Sequence, residues 1–436
     1  MSKILFVENR FRSETWKPLS LALQREGHEV FWLVENHAFA PSPEYGKVFV
    51  IPYPSEKELK QAPEYHSQFL PSSDRNFNYY GHKDTRHYGY YFEKFFAILK
   101  DVMPDVVLGE STTFYEQLII DACQKLGIRF LHPCFCRYPT GRFSFYQYNT
   151  LEPYRGSGED MSDEEADRII ASVSQRKIVP DYMKKKKLSL KSRLERFVNL
   201  CFLMKNYYSG EHYHTPSPLQ RLKLIRNLKK MVKRWEEVSG RKYSRIEGKE
   251  FKVMYPLHLQ PEASVDIWGN PYRDQVKTIR LILEQLPPGA LLVVKPNPHA
   301  KFEMSEDLLA LMEEEPRIIP VPLPVSMGEV LARIDTVVTV TGTIAIECIF
   351  SGKPVITLMH TLNNTVAACP YAADAAALKR CIAQAAEGKF PVASQEEKRD
   401  FLRLLNRTSY AGMPYENYIT IPEEFEKVLK AVRSIL

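Results

Sequence analysis

Short apolar runs alternate with longer amphipathic segments over the first 155 residues of the chain. The runs have the length of buried strands and occupy residues 4–7, 29–34, 48–51, 106–108 and 128–131. Apolar residues recur at helical spacing over residues 18–26, 90–100 and 115–126. Buried strands that alternate with helices are typical of a parallel sheet. The pattern predicts an α/β domain over residues 1–155, with a long polar loop at 55–86.

The same rhythm returns in the second half of the chain. Strand-like runs occupy residues 252–255, 291–294, 317–321, 336–340 and 354–358, and helical patterns occupy 273–286, 307–314, 327–334 and 343–350. This regular alternation predicts a second doubly wound domain over residues 251–421, followed by an amphipathic helix at 422–436. We therefore expect an α/β fold with two Rossmann-like domains that face a cleft.

Residues 156–250 break the rhythm, because their apolar residues keep helical spacing and form no strand-like run. Residues 181–250 contain 19 Lys/Arg and 7 Asp/Glu, a net charge of +12, so the rest of the chain carries −6 of the total of +6. A basic amphipathic segment can lie on anionic lipid, but it is also common as a solvated helical face. We expect a basic helical insertion and a possible anionic membrane surface within residues 184–234.

Composition and cysteine usage indicate the cellular compartment of the protein. The start of the sequence has no signal-peptide pattern, and no apolar stretch has the length of a membrane span. Seven scattered cysteines favour unpaired thiols in a reducing compartment. We expect a cytoplasmic protein and leave open a peripheral position on the inner face of the cytoplasmic membrane. No aromatic stacking platform accompanies the basic segment, so nucleic acid is not expected as a partner.

Common cofactor motifs are missing from the sequence. The first strand, 4–7, is followed by Glu8, Asn9 and Arg10 instead of a glycine-rich phosphate loop, which argues against an enzyme that uses NAD or FAD. The strand ends carry no Asp-x-Asp pair. We therefore expect neither a cofactor nor a metal.

The strongest candidate for phosphate binding follows the strand at 336–340. Thr341, Gly342 and Thr343 lead into a helix, and Glu347 lies one turn further on. Glycine allows a tight turn and close approach of a ligand, while the amides of a helix N-terminus attract phosphate. Glu347 could accept hydrogen bonds from ribose hydroxyls. A capped helix with a surface glutamate is the alternative.

A second polar loop follows the strand at 291–294. Prolines 296 and 298 fix this loop, Lys295 can neutralise a phosphate, and Asn297 and His299 lie beside it. Because parallel strands end at one edge of their sheet, this loop should lie near Thr341. The alternative is a rigid, solvent-exposed turn.

Two further strand ends carry candidate acid, base and sugar-binding groups. The loop after the strand at 252–255 contains His258, Gln260, Glu262 and Ser264, although packing is an equally simple role for His258. In the first domain Glu110 follows the strand at 106–108, where a general base or a group that binds an acceptor hydroxyl would be well placed. We predict Glu110, Glu262 and His258 as catalytic residues.

These segments resemble the capsule polysaccharide biosynthesis family, which includes bacterial Kdo transferases of the GT-B glycosyltransferase architecture. The resemblance rests on residues 255–264 (YPLHLQPEAS), on Lys295 with Pro298, on 341–347 and on 352–354 (GKP). It extends more weakly to Arg137 and to residues 141–143 (GRF). The resemblance implies transfer of a sugar from a nucleotide-sugar donor to a glycan or lipid-linked glycan acceptor.

The chain departs from the family pattern on the donor side. The family usually has Lys-Glu-His-Pro where this chain has residues 295–298 (KPNP), and many relatives carry a glycine and an aromatic residue where this chain has 359–361 (MHT). The donor is therefore left open, with Kdo or a related sugar as one candidate. Two other functions also remain open: a nucleotide-sugar 2-epimerase, and a non-catalytic polysaccharide assembly or export factor.

Overall fold

The computed structural model describes residues 1–177 and 215–436, together with 198, 200–202, 204, 205, 207, 208, 212 and 213. The strands, numbered in chain order, are β1 (Lys3–Val7), β2 (Glu29–Val34), β3 (Lys47–Val50), β4 (Val106–Leu108), β5 (Arg129–Phe135), β6 (Arg142–Gln147), β7 (Lys252–Pro256), β8 (Leu291–Lys295), β9 (Ile318–Pro320), β10 (Thr336–Thr339), β11 (Val355–Thr357) and β12 (Tyr410–Ala411).

The helices are α1 (Arg10–Arg25), α2 (Glu56–Gln61), α3 (Phe69–Ser73), α4 (Arg86–Val102), α5 (Phe114–Leu126), α6 (Asp163–Ser174), α7 (Pro218–Lys242), α8 (Ala263–Asp266), α9 (Gln275–Gln285), α10 (Glu306–Glu314), α11 (Met327–Leu331), α12 (Ile344–Ser351), α13 (Ala375–Ala386), α14 (Gln395–Arg407), α15 (Glu416–Ile419) and α16 (Pro422–Ile435).

The chain divides into two compact units. Unit 1 contains residues 1–160, 185–220 and 405–436, and unit 2 contains residues 161–184 and 221–404. The segment 156–250 that the sequence sets apart as one insertion is thus shared between the units, and α16 belongs to unit 1. The basic residues at 184–197 lie outside the described part of the chain.

Unit 1 is built on a seven-stranded sheet with the order β12-β6-β5-β4-β1-β2-β3. The five strands from β5 to β3 are parallel, whereas β6 and β12 are antiparallel to their neighbours. Helices cover both faces, with α4 and α5 on one core and α1 and α16 on the other. The sequence pattern does not predict β6, because its polar and aromatic residues do not form an apolar run.

Unit 2 is built on a five-stranded parallel sheet with the order β11-β10-β7-β8-β9. Its core contains the sheet residues Val253, Leu292 and Val338, together with Trp235 from α7. In both units the first strand lies beside the fourth, which is the strand order of a doubly wound fold. The predicted α/β class with two Rossmann-like sheets is confirmed. The predicted cleft stays a prediction.

Residues 55–86 are more regular than predicted. The segment contains α2, α3 and a π-helical turn at Asn76–Tyr80. Ser55 and Glu58 form a capping box that starts α2, and the buried Asp74 accepts a hydrogen bond of 2.7 Å from the Tyr88 hydroxyl. Side-chain contacts of this kind fix short helices without the apolar periodicity that a sequence pattern can detect.

Candidate functional site

The sheet of unit 2 reverses its strand order between β7 and β10, and the loops after these two strands flank that switch point. Open α/β sheets bind ligands beyond the carboxyl ends of the strands at such a point. β8 lies on the other side of β7, so the end of β8 and the end of β10 are about 10 Å apart along the edge. The predicted residues around 258, 295 and 341 therefore belong to one sheet edge.

The loop after β7 is held by the side chain of Gln275, the first residue of α9. Its Oε1 accepts from the His258 amide at 2.8 Å, while its Nε2 donates to the His258 carbonyl at 2.8 Å and to Gln260 Oε1 at 2.9 Å. The side-chain Nε2 of Gln260 donates to Asp266 Oδ1 at 2.8 Å and to the carbonyl of Arg273 at 2.9 Å. Because these bonds occupy its side chain, Gln260 fixes the loop in this structure.

The His258 ring connects this loop to the loop after β10. Its Nε2 accepts from the Val340 amide at 3.3 Å and lies 3.3 Å from Thr339 Oγ1. Burial lowers the pKa of His258 to about 4, so the ring is neutral near pH 7 with Nε2 unprotonated. This geometry favours a positioning residue over the acid or base that the sequence analysis predicts for His258.

The turn after β10 exposes its glycine at the sheet edge. Gly342 has a φ of +89°, and a Cβ there would lie 3.2 Å from Thr339 Oγ1 and 3.6 Å from His258 Cε1. Thr341 donates from Oγ1 to the carbonyl of Ser264 at 3.2 Å, which ties the turn to α8. α12 then begins at Ile344, and the side chain of the preceding Thr343 does not cap it. The first-turn amide of Ala345 donates to the Gly342 carbonyl at 3.3 Å, so this end of the helix lies next to the exposed glycine.

Lys295, the last residue of β8, is buried with its ammonium group in the sheet edge. Its Nζ donates to the carbonyl of Pro296 at 3.3 Å, and no carboxylate in the described part of the chain lies within ion-pair distance. Burial lowers the pKa of Lys295 to about 8, an effect that the more distant Glu236 and Glu329 partly offset. A buried cation with so few partners favours an anionic ligand.

The loop after Lys295 places its two other predicted residues differently. The Asn297 side chain accepts from the His299 amide at 2.9 Å, so it stabilises the turn. The His299 side chain is exposed. Its imidazole is therefore accessible from solvent.

Glu262 and Ser264 lie at the start of the short helix α8. Ser264 Oγ donates to Glu262 Oε2 at 3.0 Å, and the Glu262 amide donates to Asp266 Oδ2 at 3.0 Å. Both side chains are half-buried. Glu262 is therefore the predicted carboxylate of this loop that remains within reach of a ligand.

Glu347 forms an ion pair with Arg176, a residue that no sequence motif points to. The side chain of Glu347 is buried, and Arg176 follows α6. A cavity of about 270 Å³ lies beside this pair, with Lys353 and Gly328 among its lining residues. The carboxylate that could accept from ribose hydroxyls is thus already bound by a guanidinium group.

Glu303 is a second residue that the sequence pattern misses. Its Oε2 accepts from the Gln260 amide at 3.1 Å, whereas its Oε1 is buried without a hydrogen-bond partner among the described residues. Burial raises the pKa of Glu303 to about 7. The loop that carries His258 and Glu262 is therefore hydrogen-bonded to a carboxyl group whose pKa is close to neutral pH.

The corresponding edge of unit 1 carries Glu110. Arg12 donates to Glu110 and to the carbonyl of Pro414, and its guanidinium lies 4.0 Å from the ring centroid of Tyr415. A second carboxylate of this edge, Glu116, is fully buried. It accepts from Asn9 Nδ2 at 2.6 Å and from the amides of Thr112 and Thr113 at 2.7 and 2.9 Å. Burial, and then the charge of Glu110, raise the pKa of Glu116.

The described residues give two further findings. None of their helices is long and apolar enough to cross a membrane. Within the same residues no group of three or more His, Cys, Asp or Glu side chains could hold a metal ion. The absence of a metal requirement stays a prediction.

The fold and its sheet edges define a two-unit α/β protein with a candidate anion site in unit 2. Residues 159–364 match the sequence model of the family described as capsule polysaccharide biosynthesis protein. The segment contains the motifs at 255–264, 295–298, 341–347 and 352–354. The predicted resemblance to this family is confirmed over that segment, which is slightly less than half of the chain.

No curated protein matches the chain. Among solved structures it resembles a putative UDP-N-acetylglucosamine 2-epimerase from Listeria monocytogenes (12% identity, 95% of this chain and 93% of that chain, TM-score 0.26). It also resembles the UDP-GlcNAc 2-epimerase of Methanocaldococcus jannaschii (14%, 92% and 98%, TM-score 0.29) and the calicheamicin glycosyltransferase CalG4 (12%, 100% and 98%, TM-score 0.28). Likenesses of this size do not distinguish one activity from another.

Proposed function

We propose that the chain is a glycosyltransferase that transfers a sugar from a nucleotide-sugar donor to a growing surface glycan. The observation that carries this proposal is Lys295, a buried ammonium group at the carboxyl edge of the second sheet with one carbonyl as its hydrogen-bond acceptor among the described residues. An anionic phosphate would supply the charge that this cation lacks. The family match over residues 159–364 supports a role in capsule polysaccharide synthesis.

In the proposed reaction an acceptor hydroxyl oxygen forms a bond to the anomeric carbon of the donor sugar. The bond from that carbon to the phosphate oxygen breaks, and the phosphate leaves with the bonding electrons. Lys295 and the first-turn amides of α12 would stabilise the negative charge on the leaving phosphate. Gly342 would let the phosphate approach the backbone closely, because it is exposed and has no side chain.

The hydroxyl proton needs a base. Glu262 is half-buried beside Ser264, and in unit 1 Glu110 lies after β4, so we retain both as candidates. His258 would instead hold the loop after β7 against Val340, because its Nε2 already accepts a backbone hydrogen bond. Gln260 and Asn297 would likewise shape the loops that contact the donor.

Glu347 would accept hydrogen bonds from the donor ribose only after the ribose hydroxyls replace the guanidinium of Arg176 as its partner. The ion pair is buried on the side of Glu347, where such exchange carries an electrostatic cost unless Arg176 finds a new anion. A nucleotide offers that anion in its phosphate. Donor binding would therefore move the Arg176 side chain, which a spin label or a fluorophore near residue 176 would report.

A panel of CMP-, UDP- and GDP-sugars tests the proposal by calorimetry and turnover. We expect one nucleotide class to bind the wild-type chain and the Lys301→Met control, in which an exposed lysine of the same loop is replaced. Lys295→Met should weaken that binding about 30–100-fold. Turnover should require a glycan acceptor. Turnover without acceptor would instead indicate a 2-epimerase, and failure of all three classes to bind would indicate a non-catalytic assembly factor.

A further inference from the structure

Helix α7 has two halves with different surroundings. In its second half Met231, Trp235 and Val238 are buried in the core of unit 2, and the Trp235 indole donates to the carbonyl of Val321 at 2.9 Å. Lys242 donates to the carbonyls of Met312, Glu313 and Glu315 at 2.6–3.0 Å. These contacts fix the helix to the domain.

The first half presents large apolar side chains to solvent. Leu222 and Ile225 are 55% and 45% exposed, and Leu219, one turn earlier, is 80% exposed. At 100° per residue these three side chains lie within about one third of the helix circumference, on the side away from Trp235. Solvation of a contiguous apolar strip is unfavourable, and such strips commonly mark sites of interaction with a protein, a ligand or a membrane.

The same half carries uncompensated positive charge. Arg221, Lys223, Arg226 and Lys229 form no ion pair with any residue of the described part of the chain. By contrast, Lys230 and Arg234 pair with Glu306 and Glu313 of α10. From Pro218 to Trp235 the sequence has no acidic residue. By the same angles Arg226 and Lys229 lie within the apolar strip and Lys223 borders it, whereas Arg221 lies on the side of Trp235.

We propose that the outward face of α7, formed by Leu219, Leu222 and Ile225 with Lys223, Arg226 and Lys229, docks on the surface of an anionic lipid bilayer. Apolar side chains on such a helix enter the boundary between headgroups and acyl chains, while lysine and arginine remain at the phosphate level. A bilayer satisfies both halves of this chemistry at once, whereas a soluble polyanion would leave the apolar strip in water. The inference does not depend on the proposed sugar transfer.

Sedimentation with vesicles tests the charge requirement. The full chain should bind vesicles of phosphatidylcholine with one third phosphatidylglycerol, and it should bind pure phosphatidylcholine at least about 10-fold more weakly. Lys223→Gln with Arg226→Gln should weaken binding to the anionic vesicles about 10-fold or more. The matched control, Lys379→Gln with Arg380→Gln, removes two exposed charges of α13 and should bind like the wild type.

An added tryptophan tests insertion of the apolar strip. Leu222→Trp should show blue-shifted fluorescence with anionic vesicles, whereas Val392→Trp, at a 61% exposed site outside α7, should not. Equal binding to both vesicle types, no effect of the double substitution, or no fluorescence shift would overturn the proposal. Binding of heparin with the same residue dependence, in the absence of vesicle binding, would assign the face to a soluble polyanion and would also overturn it.

Discussion

The carboxyl edges of the two sheets treat charge in opposite ways. In unit 1 the Arg12 guanidinium is saturated by Glu110, by backbone carbonyls and by the ring of Tyr415, and Glu116 accepts four hydrogen bonds. In unit 2 the ammonium of Lys295 has one carbonyl, and an oxygen of Glu303 has no partner among the described residues. A network in which every polar group has a partner stabilises its own domain; we call it closed. A network with unpartnered groups, which we call open, can gain free energy when a ligand supplies the missing partners.

The largest expected effect is that of breaking the closed network. Arg12→Ala leaves Glu110 and the Pro414 carbonyl without their donor, and we expect it to lower the free energy of unfolding by about 3–5 kcal/mol. Urea unfolding followed by circular dichroism measures the loss. Lys17→Ala, which removes a pair with Glu14 at the surface of the same helix, should cost about 0.5 kcal/mol or less. Equal losses for the two variants would contradict the closed network.

Removing the open cation should act on ligand binding instead of folding. Lys295→Met should weaken nucleotide binding about 30–100-fold, the value of a charged hydrogen bond, without loss of stability at pH 7. The folded pKa of about 8 lies below the ordinary 10.5, so burial of this charge costs stability below pH 8, and the cost disappears between pH 8 and 10.5. Wild-type stability relative to the variant should therefore rise over that interval.

Nucleotide binding near pH 9 should also take up a proton, because the bound phosphate favours charged Lys295. Calorimetry in buffers of different ionisation enthalpy measures this uptake. Lys301→Met should keep it and Lys295→Met should lose it. Proton uptake by the Lys295→Met variant would show that another group faces the phosphate.

The two buried carboxyl groups should respond to amide substitution with opposite signs. The pKa of Glu303 is raised to about 7, so its ionised form destabilises the fold above that pH, and Glu303→Gln should gain about 2 kcal/mol at pH 8 and nothing near pH 4.5. Glu116→Gln should lose stability at pH 8, because both oxygens of Glu116 accept hydrogen bonds and the amide nitrogen of glutamine would face either Asn9 Nδ2 or the Thr112 and Thr113 amides. Thermal unfolding at the two pH values measures both changes. A loss at pH 8 for both variants would contradict the contrast.

The smallest effect concerns the exposed turn. Gly342→Ala should lower stability by about 1 kcal/mol, because φ is +89°, and should weaken nucleotide binding about fivefold. Gly127→Ala, at a φ of +67° with nothing within 4 Å of the added Cβ, should lose similar stability and leave binding unchanged. Unfolding and calorimetry on both variants separate backbone strain from ligand contact.

Sequence patterns predict the strand ends of unit 2 well, because apolar runs mark buried parallel strands and the polar residues that follow them must lie at one edge. They predict His258 and Lys295 as edge residues for this reason. They do not predict Gln275 as the clamp of the His258 loop, since a single amide 17 residues away leaves no periodic signal. Arg176 and Glu303 are missed likewise, because only folding gives the one an ion pair and buries the other. The roles assigned to the individual site residues stay predictions.

The anchor of α7 also has a mechanical consequence. The Val321 carbonyl that accepts from Trp235 belongs to a residue whose amide donates to the Val294 carbonyl at 2.9 Å, one residue before Lys295. Leu222 lies about 20 Å along the helix from Trp235, so a pivot of about 10° at the anchor displaces that end by about 3–4 Å. The helix therefore pivots next to Lys295, the lysine that we propose to bind phosphate. A force that displaces the Leu222 end must therefore either bend the helix or shift the residues at the end of β8.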